Sequence, residues 1–254
     1  MTRFLELRRI APLAVGLMFV LTSAMSLSPA RASVPTGAPT FTHPLDITNR
    51  YQPFQPGGVK VYRGTKGTTT EVVVDLYLSD TRTFVLNGRE VPCRILQEMA
   101  FENGQLVEIS LNYFAQADDG TVYYFGETVD IYKNGRIKSH EGSWLVGGPT
   151  RVSDPPKTAN APAPTVFMPA NPELGDTFKQ EDLFPTVDET DQVIGVGQTV
   201  TVEAGQFANT IRILESSRLD PTTETKWYAP GVGVVKSTAS DENLELISST
   251  LRSP

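Results

Sequence analysis

Four turn dipeptides constrain this chain more than anything else in it: Asn87-Gly88, Asn103-Gly104, Asp119-Gly120 and Asn134-Gly135. Each pairs residues that tolerate positive φ, which a two-residue type I′ hairpin demands at both central positions. Between and around them lie runs rich in Val, Ile, Thr, Tyr and Phe, at 59–63, 69–78, 81–86, 90–100, 106–115, 121–132 and 136–144. Such residues suit a pleated, half-buried surface. One such dipeptide would say little. Four at near-even spacing predict an antiparallel meander.

From 147 to 172 the alternation stops. Pro149, Pro155, Pro156, Pro162, Pro164, Pro169 and Pro172 remove backbone donors and fix φ, which argues against helix and central strand there. Strand-like runs resume at 176–183, 188–194, 198–202, 207–217, 224–228, 232–237 and 244–251. No segment holds a helical period over eleven residues, and no fixed repeat emerges. The expectation is an all-β fold, a curved antiparallel sheet forming a sandwich or open barrel. It is read as a single domain over 51–254, with a proline-rich connector at 147–172 and a loose lead-in at 33–50.

The first residues read as an export signal. Arg3, Arg8 and Arg9 precede an apolar run from 10 to 25, and Pro29-Ala30-Arg31-Ala32 supplies a small-x-small site with cleavage before Ser33. The alternative is a retained anchor, but the run is shorter than the roughly 20 residues a bilayer span needs and is diluted by Pro12, Thr22 and Ser23. The expected location is periplasmic or secreted, with no membrane span after cleavage. Residues 1–32 carry a net +3, so the remainder of this −7 chain carries −10. That balance speaks against nucleic acid, whose phosphates need basic patches, and is compatible with a binder of cations. Cys93 is the sole cysteine, so no intrachain disulfide forms and packing alone must hold the fold. Its surroundings, Val91-Pro92-Cys93-Arg94-Ile95, suggest a small buried hydrophobe.

An ordered series of aromatic motifs carries a resemblance. Leu111-Asn112-Tyr113-Phe114-Ala115-Gln116 is followed by Asp119-Gly120-Thr121-Val122-Tyr123-Tyr124-Phe125-Gly126-Glu127, then by Gly142-Ser143-Trp144 and Lys226-Trp227-Tyr228-Ala229-Pro230-Gly231-Val232-Gly233. Over most of residues 51–237 the chain resembles uncharacterised exported bacterial proteins similar to the DUF3108-like and TapB-like domains. That resemblance implies an extracytoplasmic β-domain and no particular chemistry. The chain departs from the group at Asn112, where an acidic residue is expected.

Candidate sites are few. Tyr113, Tyr123, Phe125, Trp144, Trp227 and Tyr228 are candidates to line a groove for a small apolar or glycan ligand. Alternation sets Tyr123 and Phe125 on one face and Tyr124 on the other, so aromatics on both faces mean either two covering layers or one recognition surface. Core packing is the competing reading. Asp118, Asp119 and Glu127 could offer oxygens to Ca²⁺, though their spacing is not that of an EF-hand. Turn chemistry accounts for Asp119-Gly120, whereas Gly126-Glu127 in mid-strand signals a close backbone approach or an inward polar group. His43 and His140 are the only histidines; neither sits at zinc-ligand spacing, and Ser139 and Ser143 near His140 lack a nucleophile elbow. The expectation is therefore a non-enzymatic, monomeric binding or envelope module, with a Ca²⁺-binding domain as the alternative and a hydrolase third. No other cofactor is implied.

Overall fold

The structure, a computed structural model, describes residues 34–251. The export signal lies outside the described residues. In chain order the strands are β1 (Val59–Lys66), β2 (Thr69–Leu86), β3 (Arg89–Glu102), β4 (Gln105–Gln116), β5 (Val122–Lys133), β6 (Arg136–Ser139), β7 (Trp144–Val146), β8 (Ala159–Ala161), β9 (Thr165–Met168), β10 (Thr177–Leu183), β11 (Val187–Val202), β12 (Gly205–Ser216), β13 (Glu224–Ala229), β14 (Gly233–Thr238) and β15 (Glu242–Ser249). The fold is all-β. Among the described residues no helix is long and apolar enough to cross a membrane.

One sheet holds every strand. Its order runs β10-β11-β12-β13-β14-β15-β1-β2-β3-β4-β5-β7-β8, with β6 and β9 also pairing to β5. The β15–β1 ladder, Lys60 opposite Ser249 through Lys66 opposite Glu242, joins the two halves of the chain. The sheet curls until β9 lies against β10, giving a nearly closed barrel. Side chains bridge that seam: Thr165 Oγ1 donates to Gln180 O at 2.5 Å, and Gln180 Nε2 donates to Phe167 O at 3.2 Å.

Three of the four turn dipeptides take the conformation their chemistry favours. Asn87, Asn103 and Asn134 have φ of 52°, 48° and 55°, each followed by a glycine at 71–77°. At the fourth only Gly120 is left-handed, with φ 91°. There Ala117 N donates to Thr121 O and Asp119 Oδ1 accepts from Thr121 N, so the loop is longer than a two-residue hairpin.

Alternation runs opposite to that of a simple greasy core. Along β2 the buried positions are Glu71, Val73, Asp75 and Tyr77, while Val72, Val74, Leu76 and Leu78 are only partly covered on the outer face. Along β4 the buried set includes Glu108, Ser110, Asn112 and Phe114. The barrel interior is thus strongly polar.

Two expectations need correction. The lead-in expected to be loose is not so over 34–50, where it lies over the outer face of β4 and β5. Asp118 N donates to Thr40 O, Gln116 N to Pro44 O, and the buried Asn49 Nδ2 donates to Gly120 O and Pro169 O, each near 3.0 Å. Phe41 meets Tyr123 and Phe125 edge-on at 5.8 and 5.6 Å. The outer aromatics need an apolar cover, and this segment supplies it. The proline-rich connector, for its part, contains β8 and β9. Pro162, Pro164 and Pro169 fall beside those strands rather than within them, so the ladder donors survive.

Candidate functional site in the barrel interior

The outer layer over β4 and β5 is built of packed aromatic rings. The far halves of β2 and β3 extend past a register shift between Tyr77 and Thr81 and fold over it. Phe84 sits 5.4 Å from both Tyr113 and Phe125. Arg82 lies over the Phe84 and Tyr113 rings and pairs with Asp154, both side chains 2% exposed. Asp154 also accepts from Thr150 N and Arg151 N. Tyr113 and Phe125 are therefore buried core, not a groove; Tyr123, buried as well, borders a small pocket formed with Pro35, Gly37, Thr40 and Asp119 of the lead-in and its neighbouring loop. Cys93, fully buried in the same layer, has its thiol pushed well up by that burial, against a pull from Arg82.

The remaining ligand candidates scatter. Trp144 is buried edge-on to Tyr124 and donates its indole N–H to Glu181 at 3.4 Å. Trp227 is partly exposed on the opposite face of β13 from Lys226 and Tyr228, beside Lys236. Only Tyr228 lines the interior cavity.

The metal candidates also come apart. Asp118 is exposed and accepts from Thr42 N at 2.7 Å and Thr42 Oγ1 at 3.0 Å, contacts that hold its carboxyl low. Asp119 caps its own loop. Glu127 is buried inside the barrel. Asn112 opposes Glu127 and Phe114 opposes Tyr124, so β5 spends one extra residue between them. Gly126 makes that bulge possible: its φ is 112°, and a Cβ there would stand 2.2 Å from Trp144 O. The bulge turns Glu127 to the same side as Tyr124, where burial and the neighbouring Glu181 push its carboxyl well up. Turn and strand residues close in sequence thus end on different faces of the wall. Ser143 Oγ accepts from Val129 N at 2.9 Å and His140 Nδ1 meets Asp130 at 2.7 Å, so the two side chains are engaged elsewhere, and what joins the residues is a backbone bond from Ser143 N to His140 O at 3.2 Å.

What the fold does assemble is an acidic chamber. A cavity of about 120 Å³ is lined by Tyr62, Tyr77, Phe114, Tyr124, Phe167 and Tyr228 together with Glu71, Asp75, Glu98, Glu224 and Glu242. Lys60 and Lys226 are the cations in that wall. Lys60 sits 3.2 Å from Asp75 and over the Tyr62 and Tyr77 rings. Lys226 reaches Glu215 at 2.7 Å and Glu224 at 3.6 Å. Glu224 and Glu242 are 30% and 16% exposed and mark the open end, whereas Lys60 and Asp75 lie deep. Burial, helped by Glu242, raises Glu71 to about 7. Burial also raises Glu108 to about 7, and Glu215 to about 7 against the pull of Lys226. Lys66, 3.7 Å from Glu242, adds an ammonium group at the open end, and among the described residues Glu71 Oε2 and Asp75 Oδ1 are buried without a hydrogen-bond donor.

Sequence reasoning passed over these acids. A signal existed: Glu71 and Asp75 punctuate Val72-Val73-Val74, and Glu189-x-Asp191 repeats an acid on one strand face. No protein-family model matches the chain, and no curated protein or solved structure matches it.

Proposed function

We propose that this is an exported, monomeric, non-catalytic binding barrel whose interior cavity takes a small organic cation with an apolar body. The observation that carries this reading is the lining itself: tyrosine and phenylalanine rings beside carboxylates, two of whose buried oxygens, Glu71 Oε2 and Asp75 Oδ1, meet no donor among the described residues. Aromatic faces attract cations within about 6 Å, by about 2 kcal/mol or more when desolvated, and a buried carboxylate needs a partner. The aromatic surface expected for an apolar or glycan ligand is thereby respecified. The rings are different ones, apart from Tyr228, and the acids favour positive charge.

The test uses three molecules of one shape. Benzylamine, benzyl alcohol and benzoate are titrated into the purified protein by calorimetry. Benzylamine binds, and binding weakens in Glu71→Gln. Equal binding of the neutral alcohol, or preference for benzoate, would overturn the reading.

A further inference from the structure

Three carboxylates that do not line this cavity meet on the wall formed by β11 and β12. Asp191 stands directly opposite Glu215, and Glu189 precedes Asp191 by two residues on the same face. Oxygens from Glu189, Asp191 and Glu215 lie within 4.8 Å of one another. Like charges set directly across a ladder repel, and here the repulsion is poorly relieved. Both oxygens of Asp191, which is fully buried, lack a hydrogen-bond donor, as do Glu189 Oε1 and Glu215 Oε1.

A neutral side chain borders the cluster. Gln180 on β10 is fully buried, its Nε2 is held by Phe167 O, and the same amide nitrogen side faces Asp191 without forming a well-shaped hydrogen bond to it. Four buried carboxylate oxygens without donors, on three side chains whose ligand atoms lie within 4.8 Å of one another, make a set that a hard cation uses and an apolar ligand does not.

We propose that Glu189, Asp191 and Glu215 form a binding site for one hard divalent cation of the calcium type. The charge fits. Three carboxylates face Lys226, which already sits 2.7 Å from Glu215 Oε2, so two negative charges are left over. The size fits as well. Ca²⁺ holds oxygens at about 2.3–2.6 Å, so an ion among oxygens that lie within 4.8 Å of one another can reach all three carboxylates. Lys226 lines the cavity and also touches Glu215, which places the two sites side by side, but the ion site stands whether or not the cavity takes an amine. Protons are the competing occupants, since burial pushes Glu189 and Asp191 well up.

The test is calcium chloride alone, titrated into the metal-free full chain at pH 7.5 and followed by calorimetry and thermal melting. The wild type gives one site per chain and a rise in Tm, because a ligand bound only by the folded state stabilises it. Asp191→Asn weakens calcium binding by at least roughly 100-fold, more than outer-shell losses commonly do, while its metal-free Tm is equal or higher. Should that variant fail to fold, Glu189→Gln carries the same expectation. Glu71→Gln, in the cavity, keeps the calcium response. At pH 5 the wild-type affinity drops as protons take the oxygens. Absence of any heat or Tm shift in the wild type, an intact response in Asp191→Asn, or a response lost instead in Glu71→Gln would overturn the proposal.

Discussion

The two faces of the β4–β5 wall and its neighbours solve the same problem, buried charge, in opposite ways. Outside, Arg82 is closed in by aromatic rings and met by both oxygens of Asp154, which in turn accepts from two backbone amides. Inside, Asp191 faces Glu215 across the ladder and neither Asp191 oxygen meets a donor. The outer charge is met by the chain's own groups, with Arg82 Nε alone of that guanidinium left without an acceptor among the described residues. The inner layer keeps buried carboxylate oxygens, both of Asp191 among them, that no donor among the described residues meets. A finished charge pair is a stabilising element, and an unfinished cluster is a place for something else to bind.

The comparison makes its largest prediction at Asp154. Asp154→Ala strands a buried guanidinium and costs about 3–5 kcal/mol in urea unfolding; a cost below about 1 kcal/mol would show the pair to be a surface contact. Gly126→Ala comes next, at about 3 kcal/mol. It combines a forbidden φ with a clash against the Trp144 carbonyl, and it attacks the bulge that keeps Glu127 on the inner face. A neutral effect there would mean the bulge relaxes easily. Inside, the sign reverses: in the absence of metal, Asp191→Asn raises stability by about 1 kcal/mol, since it removes one of two like charges set across a ladder. If it destabilises as Asp154→Ala does, the two faces do not differ in kind.

Much of the fold was legible in the sequence. The Asn-Gly turns named three hairpins, and the Val- and Tyr-rich runs named most strands. Alternation alone could not say which side was inside, because in β2 both faces, Glu71-Val73-Asp75-Tyr77 and Val72-Val74-Leu76-Leu78, offer plausible interiors. The proline count hid β8 and β9, since a proline beside a short strand costs the ladder nothing. The site was less legible. Asp118 and Asp119 attracted attention by adjacency, yet turn geometry and Thr42 use them. Glu189, Asp191 and Glu215 come together through the β11–β12 register, with Gln180 bordering them from β10. A sequence read without its pairings does not contain that information. The Gly126-Glu127 pair was the exception, since a mid-strand glycine before an acid signals a close backbone approach or an inward polar group, and the structure sets Gly126 against the Trp144 carbonyl and buries Glu127.

The central claim is that the interior holds carboxylates in need of neutralisation, and the pH dependence of metal-free stability tests it most directly. Glu71, Glu108 and Glu215 titrate at about 7 when folded and near 4.3 when unfolded. Between those values the folded state binds more protons, so stability is greatest at the acidic end and declines as pH rises toward 7, levelling above it. Asp154 and Asp188, held low by their partners, act only below about pH 4 and leave the window clear. Urea unfolding in the presence of chelator, from pH 5 to pH 8, is expected to lose roughly 3 kcal/mol or more. A free energy that stays flat or climbs over that range would contradict the account.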